Sequence, residues 1–189
     1  TLLGSTKMNF IFFKEKAYPK ESCEKLINWF EENKNLSKKG TAGKKYLDNL
    51  EIPIEVTSRE SFYNLGLCLE DGVKDFKIKY PKFNTNLSPW ELNNFCQLCR
   101  FLPNKYYNYL HCEQSNDNNS VTRVFAWMIY LNDIDEGGET EFVDHTFKTN
   151  PKAGNLYIWP AGPTHLHKGV PCSIKKYFLT GWINFKLIA

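Results

Sequence analysis

Arg123-Val-Phe-Ala-Trp-Met-Ile-Tyr-Leu-Asn-Asp133, followed shortly by Gly137-Gly-Glu-Thr-Glu-Phe142, is the stretch that decides the fold. Its first part is dense in β-branched and aromatic residues, which suit a pleated, packed surface. Residues 121–131 therefore read as a strand, Gly137-Gly138 as a turn, and 140–149 as the next strand. Outward from this pair the same texture continues. Strands are expected near 95–102, 106–113, 155–160, 164–170 and 175–186. Turn residues separate them: Pro103-Asn104, the Asn/Asp run 116–119, Asn150-Pro151, Ala161-Gly162-Pro163 and the segment from Pro171 to Lys175. Many short strands at this spacing argue a barrel or a double-sheet jelly roll.

The N-terminal half reads differently. Pro19-Lys-Glu-Ser22 opens a helix in which Cys23, Leu26, Ile27 and Phe30 form one apolar stripe. Residues 33–45 are polar and read as a loop. A second helix is expected from about Thr57, with Glu60 completing a capping box, and Pro81 closes it. Phe62, Leu65, Leu69, Val73 and Phe76 give that helix an apolar face. The expectation is α+β, mainly β: one domain over 1–189, with helical support at about 19–80 and a jelly-roll core at about 92–186.

The chain has 189 residues, with 24 Lys plus Arg against 21 Asp plus Glu, for a net charge of +3. That excess is too small to argue nucleic-acid binding. No apolar run reaches the 18 or so residues of a membrane span. Phe10-Ile-Phe-Phe13 is shorter than a signal-peptide core. A cytoplasmic chain is expected, host-cell cytoplasm for a viral one. The six cysteines (Cys23, Cys68, Cys96, Cys99, Cys112, Cys172) are scattered and read as free thiols. Cys96-Gln-Leu-Cys99 lacks the second ligand pair of a structural zinc site and falls in a strand, where i and i+3 face opposite ways.

Only four histidines are present: His111, His145, His165 and His167. His111-Cys-Glu113 is an H-x-E. On a strand, i and i+2 share a face, so His111 and Glu113 can meet one ion. A further imidazole comes from Thr164-His-Leu-His167, where His165 and His167 have the same parity. Two histidines and a carboxylate on one face of a metal leave positions open, as in non-heme Fe(II) oxygenases. Alone, an H-x-E is a weak signal.

The flanking motifs are more specific. Arg123…Tyr-Leu-Asn-Asp133, Gly137-Gly-Glu-Thr140 with Phe142, Pro151-Lys-Ala-Gly154, His167-Lys-Gly-Val-Pro171 and Lys176…Trp182 occur in order. The series resembles the prolyl 4-hydroxylase-like branch of the Fe(II)/2-oxoglutarate-dependent dioxygenases, over about residues 95–185. The compact H-x-E form is most similar to small stand-alone members of phages and bacteria. The resemblance implies a double-stranded β-helix, which is the jelly roll, and an enzyme using Fe(II), 2-oxoglutarate and O2, with ascorbate as reductant. It makes His111, Glu113 and His167 the iron ligands, His167 being favoured over His165 because Pro171 follows four residues later. Lys176, in register with Trp182, would pair with the far carboxylate of 2-oxoglutarate, with Lys175 the competitor and Thr140 touching the same group. Tyr107 or Tyr109 would reach the cosubstrate. Arg123 would position a peptide and Trp182 would stand at the mouth, with Trp159 beside them in a groove. The implied substrate is a prolyl residue of a peptide or protein. Two other readings stand beside it: a non-catalytic jelly-roll module binding metal or 2-oxoglutarate, and a hydroxylase of a free small molecule. The family usually has Asp where this chain has Glu113. The extra methylene moves the carboxylate or lets its second oxygen reach the metal.

Overall fold

The computed structural model describes residues 9–39, 47–53, 65–118 and 120–186. The elements run β1 (Phe12–Lys14), α1 (Lys20–Glu32), β2 (Lys38–Lys39), β3 (Leu47–Pro53), α2 (Leu65–Lys79), α3 (Pro81–Thr85), β4 (Trp90–Phe101), β5 (Arg123–Tyr130), β6 (Thr140–Phe142), β7 (Phe147–Lys148), β8 (Leu156–Pro160), β9 (His167–Gly169) and β10 (Lys176–Phe185). Seven strands form one antiparallel sheet in the order β1-β8-β5-β10-β4-β3-β2, and β7-β6-β9 form a second.

Alternation along the large sheet builds the molecule. Tyr177, Leu179 and Ile183 of β10 face one way, with Cys96 and Leu98 of β4, Phe125, Trp127 and Ile129 of β5, and Leu156 and Ile158 of β8. Onto this face pack Cys23, Leu26 and Phe30 of α1 and Leu65, Leu69 and Phe76 of α2. Each large side chain buried there is stabilising by about 2 kcal/mol. The helix sits so close that a Cβ on Gly72 would lie 2.4 Å from Leu156. The opposite face carries Cys99, Phe101 and Phe178, and Ala126, Tyr130, Tyr157 and Trp159. Cys96 and Cys99 therefore lie on opposite faces, and all six thiols are free.

Several expectations change in detail. The helix expected from Thr57 is described from Leu65; its capping box and Phe62 lie outside the described residues. Val73 is half-buried. Pro81 ends α2 and also opens α3, with Tyr80 as N-cap, since proline's missing N–H costs nothing in a first turn. Residues 140–149 split into β6, a 3-10 turn at Val143–His145, and β7. Residues 164–170 begin with another 3-10 turn at Pro163–His165 before β9. β1, β2 and β3 were not expected. β3 pairs with β4 from Leu47↔Phe101 to Pro53↔Phe95. It is held by the buried Asp48, whose carboxylate accepts from Arg100 Nη2 at 2.6 Å. Among the described residues no helix is long and apolar enough to cross a membrane.

Two turns need glycine. Gly137 has φ +74°, and a Cβ there would meet the Pro171 carbonyl oxygen at 1.9 Å. Gly154 has φ +83°, and a Cβ would lie 2.1 Å from the Tyr18 carbonyl oxygen. The Tyr18 N–H donates to the Gly154 carbonyl at 3.1 Å, and the Gly154 N–H to Tyr130 at 2.8 Å. Gly154→Ala is therefore expected to lower stability by about 1–3 kcal/mol. A melting curve checks this; an unchanged midpoint would show that the turn relaxes at no cost.

Candidate metal and cosubstrate site

Residues 106–113 do not form the expected strand. Within this segment only one bridge is made, His111↔His167. The two histidines exchange both backbone hydrogen bonds, His111 N to His167 O at 3.0 Å and the reverse at 2.8 Å. This sets their side chains directly opposite, with ring centroids 4.3 Å apart. Downstream, the Glu113 N–H donates to Ala161 O at 3.0 Å. Glu113 thus turns toward the histidines by loop pairing, not by strand parity.

The three side chains converge. Glu113 Oε1 lies 3.5 Å from His111 Nε2 and 3.4 Å from His167 Nε2. His111, Glu113 and His167 offer ligand atoms that all lie within 4.8 Å of one another. Atoms bound to one ion at about 2.1 Å and at right angles stand about 3 Å apart, so little closure is needed. Each ring is oriented from behind. His111 Nδ1 donates to the Tyr109 carbonyl at 3.0 Å, and His167 Nδ1 to the His165 carbonyl at 2.9 Å. A carbonyl only accepts, so Nδ1 carries a proton and Nε2 is the atom turned toward Glu113.

His165 stands apart. Its Nε2 bonds to Asn9 O at 2.8 Å and its Nδ1 to Thr164 Oγ1 at 3.0 Å. Its ring stacks on His145 at 4.4 Å, and burial pushes its pKa down. His145 sits in the 3-10 turn, its Nε2 on Thr164 O.

A cleft opens between the sheets, lined among others by His111, Glu113, His167, Thr140, Tyr107 and Lys176. Lys176, the first residue of β10, is 6% exposed. Its ammonium lies 5.0 Å from the Tyr130 ring and 5.1 Å from the Phe178 ring. It has no hydrogen-bond acceptor or carboxylate within salt-bridge distance among the described residues. Burial pushes its pKa down to about 8, against a smaller opposing pull from Cys172, Glu139 and Cys99. A buried, unpaired ammonium is costly and implies an anion to meet it. Lys175 points elsewhere and pairs with Glu31 at 3.1 Å. That carboxyl is held down to about 2, chiefly by the Tyr177 hydroxyl and then by Arg100 and Lys175, against burial. Thr140 is buried. Its N–H donates to Tyr130 Oη at 3.1 Å and to Thr149 Oγ1 at 2.8 Å.

Tyr107 stands edge-on to His111, centroids 4.2 Å apart. Tyr109 is 60% exposed and contributes only its carbonyl to the site. Trp159 is not in a groove. It is buried and packs edge-on behind His167 at 5.3 Å. Arg123 and Trp182 both reach Glu113. Trp182 Nε1 donates to Glu113 Oε2 at 2.9 Å. Arg123 Nη1 donates to the Glu113 carbonyl at 2.9 Å and lies 3.8 Å from Oε2. Arg123, expected from the sequence to position a peptide, is therefore in contact with a residue of the histidine–glutamate–histidine cluster. The residues that sequence reasoning missed are the orienting carbonyls of Tyr109 and His165, the Tyr130 hydroxyl, and Phe178 and Thr180. Parity with Lys176 along β10 was a signal available for the last two.

Comparison with known proteins agrees with this geometry. Residues 96–184 match the 2OG-Fe(II) oxygenase superfamily model. The chain is 31% identical over 113 residues to a protein of Acanthamoeba polyphaga mimivirus named "Putative prolyl 4-hydroxylase". That match covers 51% of this chain and 47% of the relative, so it spans about half the relative's length. The fold is similar to that of the viral collagen prolyl hydroxylase of Paramecium bursaria Chlorella virus-1, solved as a 2OG complex. The TM-score is 0.69 at 18% identity, over 97% of this chain and 100% of that one. It is also similar to a Pseudomonas putida prolyl-4-hydroxylase, with a TM-score of 0.70 at 16% identity over 95% of each chain. With its helices on one face of a largely antiparallel sheet and its histidine–glutamate–histidine cluster, the chain is similar, through residues 96–184, to the 2OG-Fe(II) oxygenase superfamily.

Proposed function

We propose that this protein is an Fe(II)- and 2-oxoglutarate-dependent dioxygenase that hydroxylates a prolyl residue of a peptide or protein. The observation that carries the reading is one cleft holding both the His111–Glu113–His167 cluster and the buried Lys176 ammonium, which has no anionic partner among the described residues. The donor set, two imidazoles and one carboxylate, fits Fe(II) with positions left open. Bound there, Fe(II) with 2-oxoglutarate and O2 supplies the oxidising power for C–H hydroxylation, with release of succinate and carbon dioxide and with ascorbate as reductant.

The chain's own residues bind and orient. His111 and His167 present their Nε2 atoms, and Glu113 presents Oε1. Lys176 meets the far carboxylate of 2-oxoglutarate, and Thr140 offers a hydroxyl to the same group. Phe101 and Phe178 stack 5.9 Å apart on the cleft wall and keep water from the ammonium. That exclusion strengthens the ion pair. Tyr107 walls the metal side. The prolyl assignment is supported by the similarity to the mimivirus, Chlorella virus and Pseudomonas putida prolyl hydroxylases. We take the whole of 1–189 as one domain, the helices backing the sheet that carries the site.

The test incubates the iron-loaded protein with 2-oxoglutarate, ascorbate and a panel of proline-containing peptides. Succinate and a peptide mass gain of one oxygen are expected. Succinate with every peptide unmodified would keep the dioxygenase and remove the prolyl assignment. No succinate under any condition would remove both.

A further inference from the structure

We propose that Trp182 is a positioning residue that restrains Glu113 to a single metal-binding oxygen. This rests on the metal reading above and deepens it. A glutamate has one more rotatable bond than aspartate, and carboxylates bind cations through one oxygen or two. Left free, the Glu113 carboxylate could swing both oxygens onto the ion and take a position that the cosubstrate needs. The structure divides the two oxygens. Oε1 faces both His Nε2 atoms, at 3.5 and 3.4 Å. Oε2 accepts the Trp182 indole N–H at 2.9 Å.

The indole is itself held. The Arg123 guanidinium lies 3.7 Å from the Trp182 ring centroid, stacked as a cation on an aromatic face. Arg123 Nη1 also donates to the Glu113 carbonyl, so one cation fixes the backbone of the ligand and the ring that holds its side chain. Gln114 closes the arrangement by donating from Nε2 to the Arg123 carbonyl at 3.0 Å. Trp182 occupies the register shift of β10 against β4, between Gly181 and Ile183. Such irregularities re-aim a side chain.

The test uses Co(II) as probe, because its visible spectrum reports coordination number without turnover. Four full-length proteins are compared: unmutated, Trp182→Phe, Glu113→Asp and the double variant. Each is checked by melting curve, titrated with Co(II), and then with 2-oxoglutarate. In the Glu113 chain, Trp182→Phe is expected to change the Co(II) spectrum and to weaken 2-oxoglutarate binding about 10–100-fold, the usual size for a residue that supports a metal ligand. In the Glu113→Asp chain the carboxylate is withdrawn from the indole by about one C–C bond, 1.5 Å. There Trp182→Phe should change 2-oxoglutarate affinity less than about twofold, as non-additivity requires of residues acting through each other. Equal effects in both chains, or an unchanged spectrum in Trp182→Phe, would overturn the positioning role while leaving the metal site in place. If the unmutated protein develops no Co(II) band, the metal reading falls and the positioning role with it.

Discussion

His167→Ala is expected to abolish metal binding and succinate formation, while His165→Ala retains both. His167 is buried on β9 with its Nε2 facing Glu113, and it is one of the three residues proposed to hold the metal. Changes to the support of a ligand cost about 10–100-fold, so loss of the ligand itself should exceed that range. His165 spends both ring nitrogens on the structure, on Asn9 and Thr164. Its removal should cost about 1–3 kcal/mol of stability, from unmet hydrogen bonds, and leave its carbonyl behind His167. Isothermal titration with Fe(II) or Co(II) separates the two. Metal bound by His167→Ala and lost from His165→Ala would reverse the assignment.

Lys176→Ala should be nearly as severe, but on 2-oxoglutarate rather than on metal. Removing one partner of a buried charge pair costs about 3–5 kcal/mol, a loss of affinity above a hundredfold. Lys175→Ala removes only a half-exposed ion pair with Glu31, worth about 0–1 kcal/mol. Equal effects on 2-oxoglutarate affinity would sink the choice of Lys176. A pH dependence accompanies the claim. The Lys176 pKa is depressed to about 8, so above that pH the ammonium is lost and affinity should fall about tenfold per pH unit. Stability should move oppositely. Between about pH 8 and the ordinary value of 10.5 the unfolded chain holds the proton and the folded chain does not, so stability rises with pH across that window. Lys176→Met should remove both trends.

The convergence of His111, Glu113 and His167 was legible because histidine is scarce here and the flanking motifs are ordered. The stated cause was not. Tyr106, Tyr107, Tyr109 and Leu110 read as strand formers, yet within 106–113 the ladder amounts to one bridge. Propensity does not say whether a partner strand is there. β3 was missed for the converse reason. Asp48, Asn49, Glu51 and Pro53 look like loop, and only pairing with β4 makes them a strand. The Trp182–Glu113 bond joins residues 69 apart in sequence, and no local pattern encodes it. The helix stripes and the two faces of β4 and β10 were readable because periodicity is local.

β10 has a consequence for variation of this chain. Lys176, Phe178, Thr180 and Trp182 all face the cleft, so one rod carries the ammonium near one end and the indole near the other. Six residues of strand at about 3.3 Å each hold them about 20 Å apart along the backbone. Adding or deleting one residue between them would turn one of the pair into the helix-side core. The spacing of the two binding functions therefore behaves as a fixed ruler. New substrate preferences should be sought by altering the exposed loop at residues 115–118, which follows Glu113 in the chain without sharing that measure.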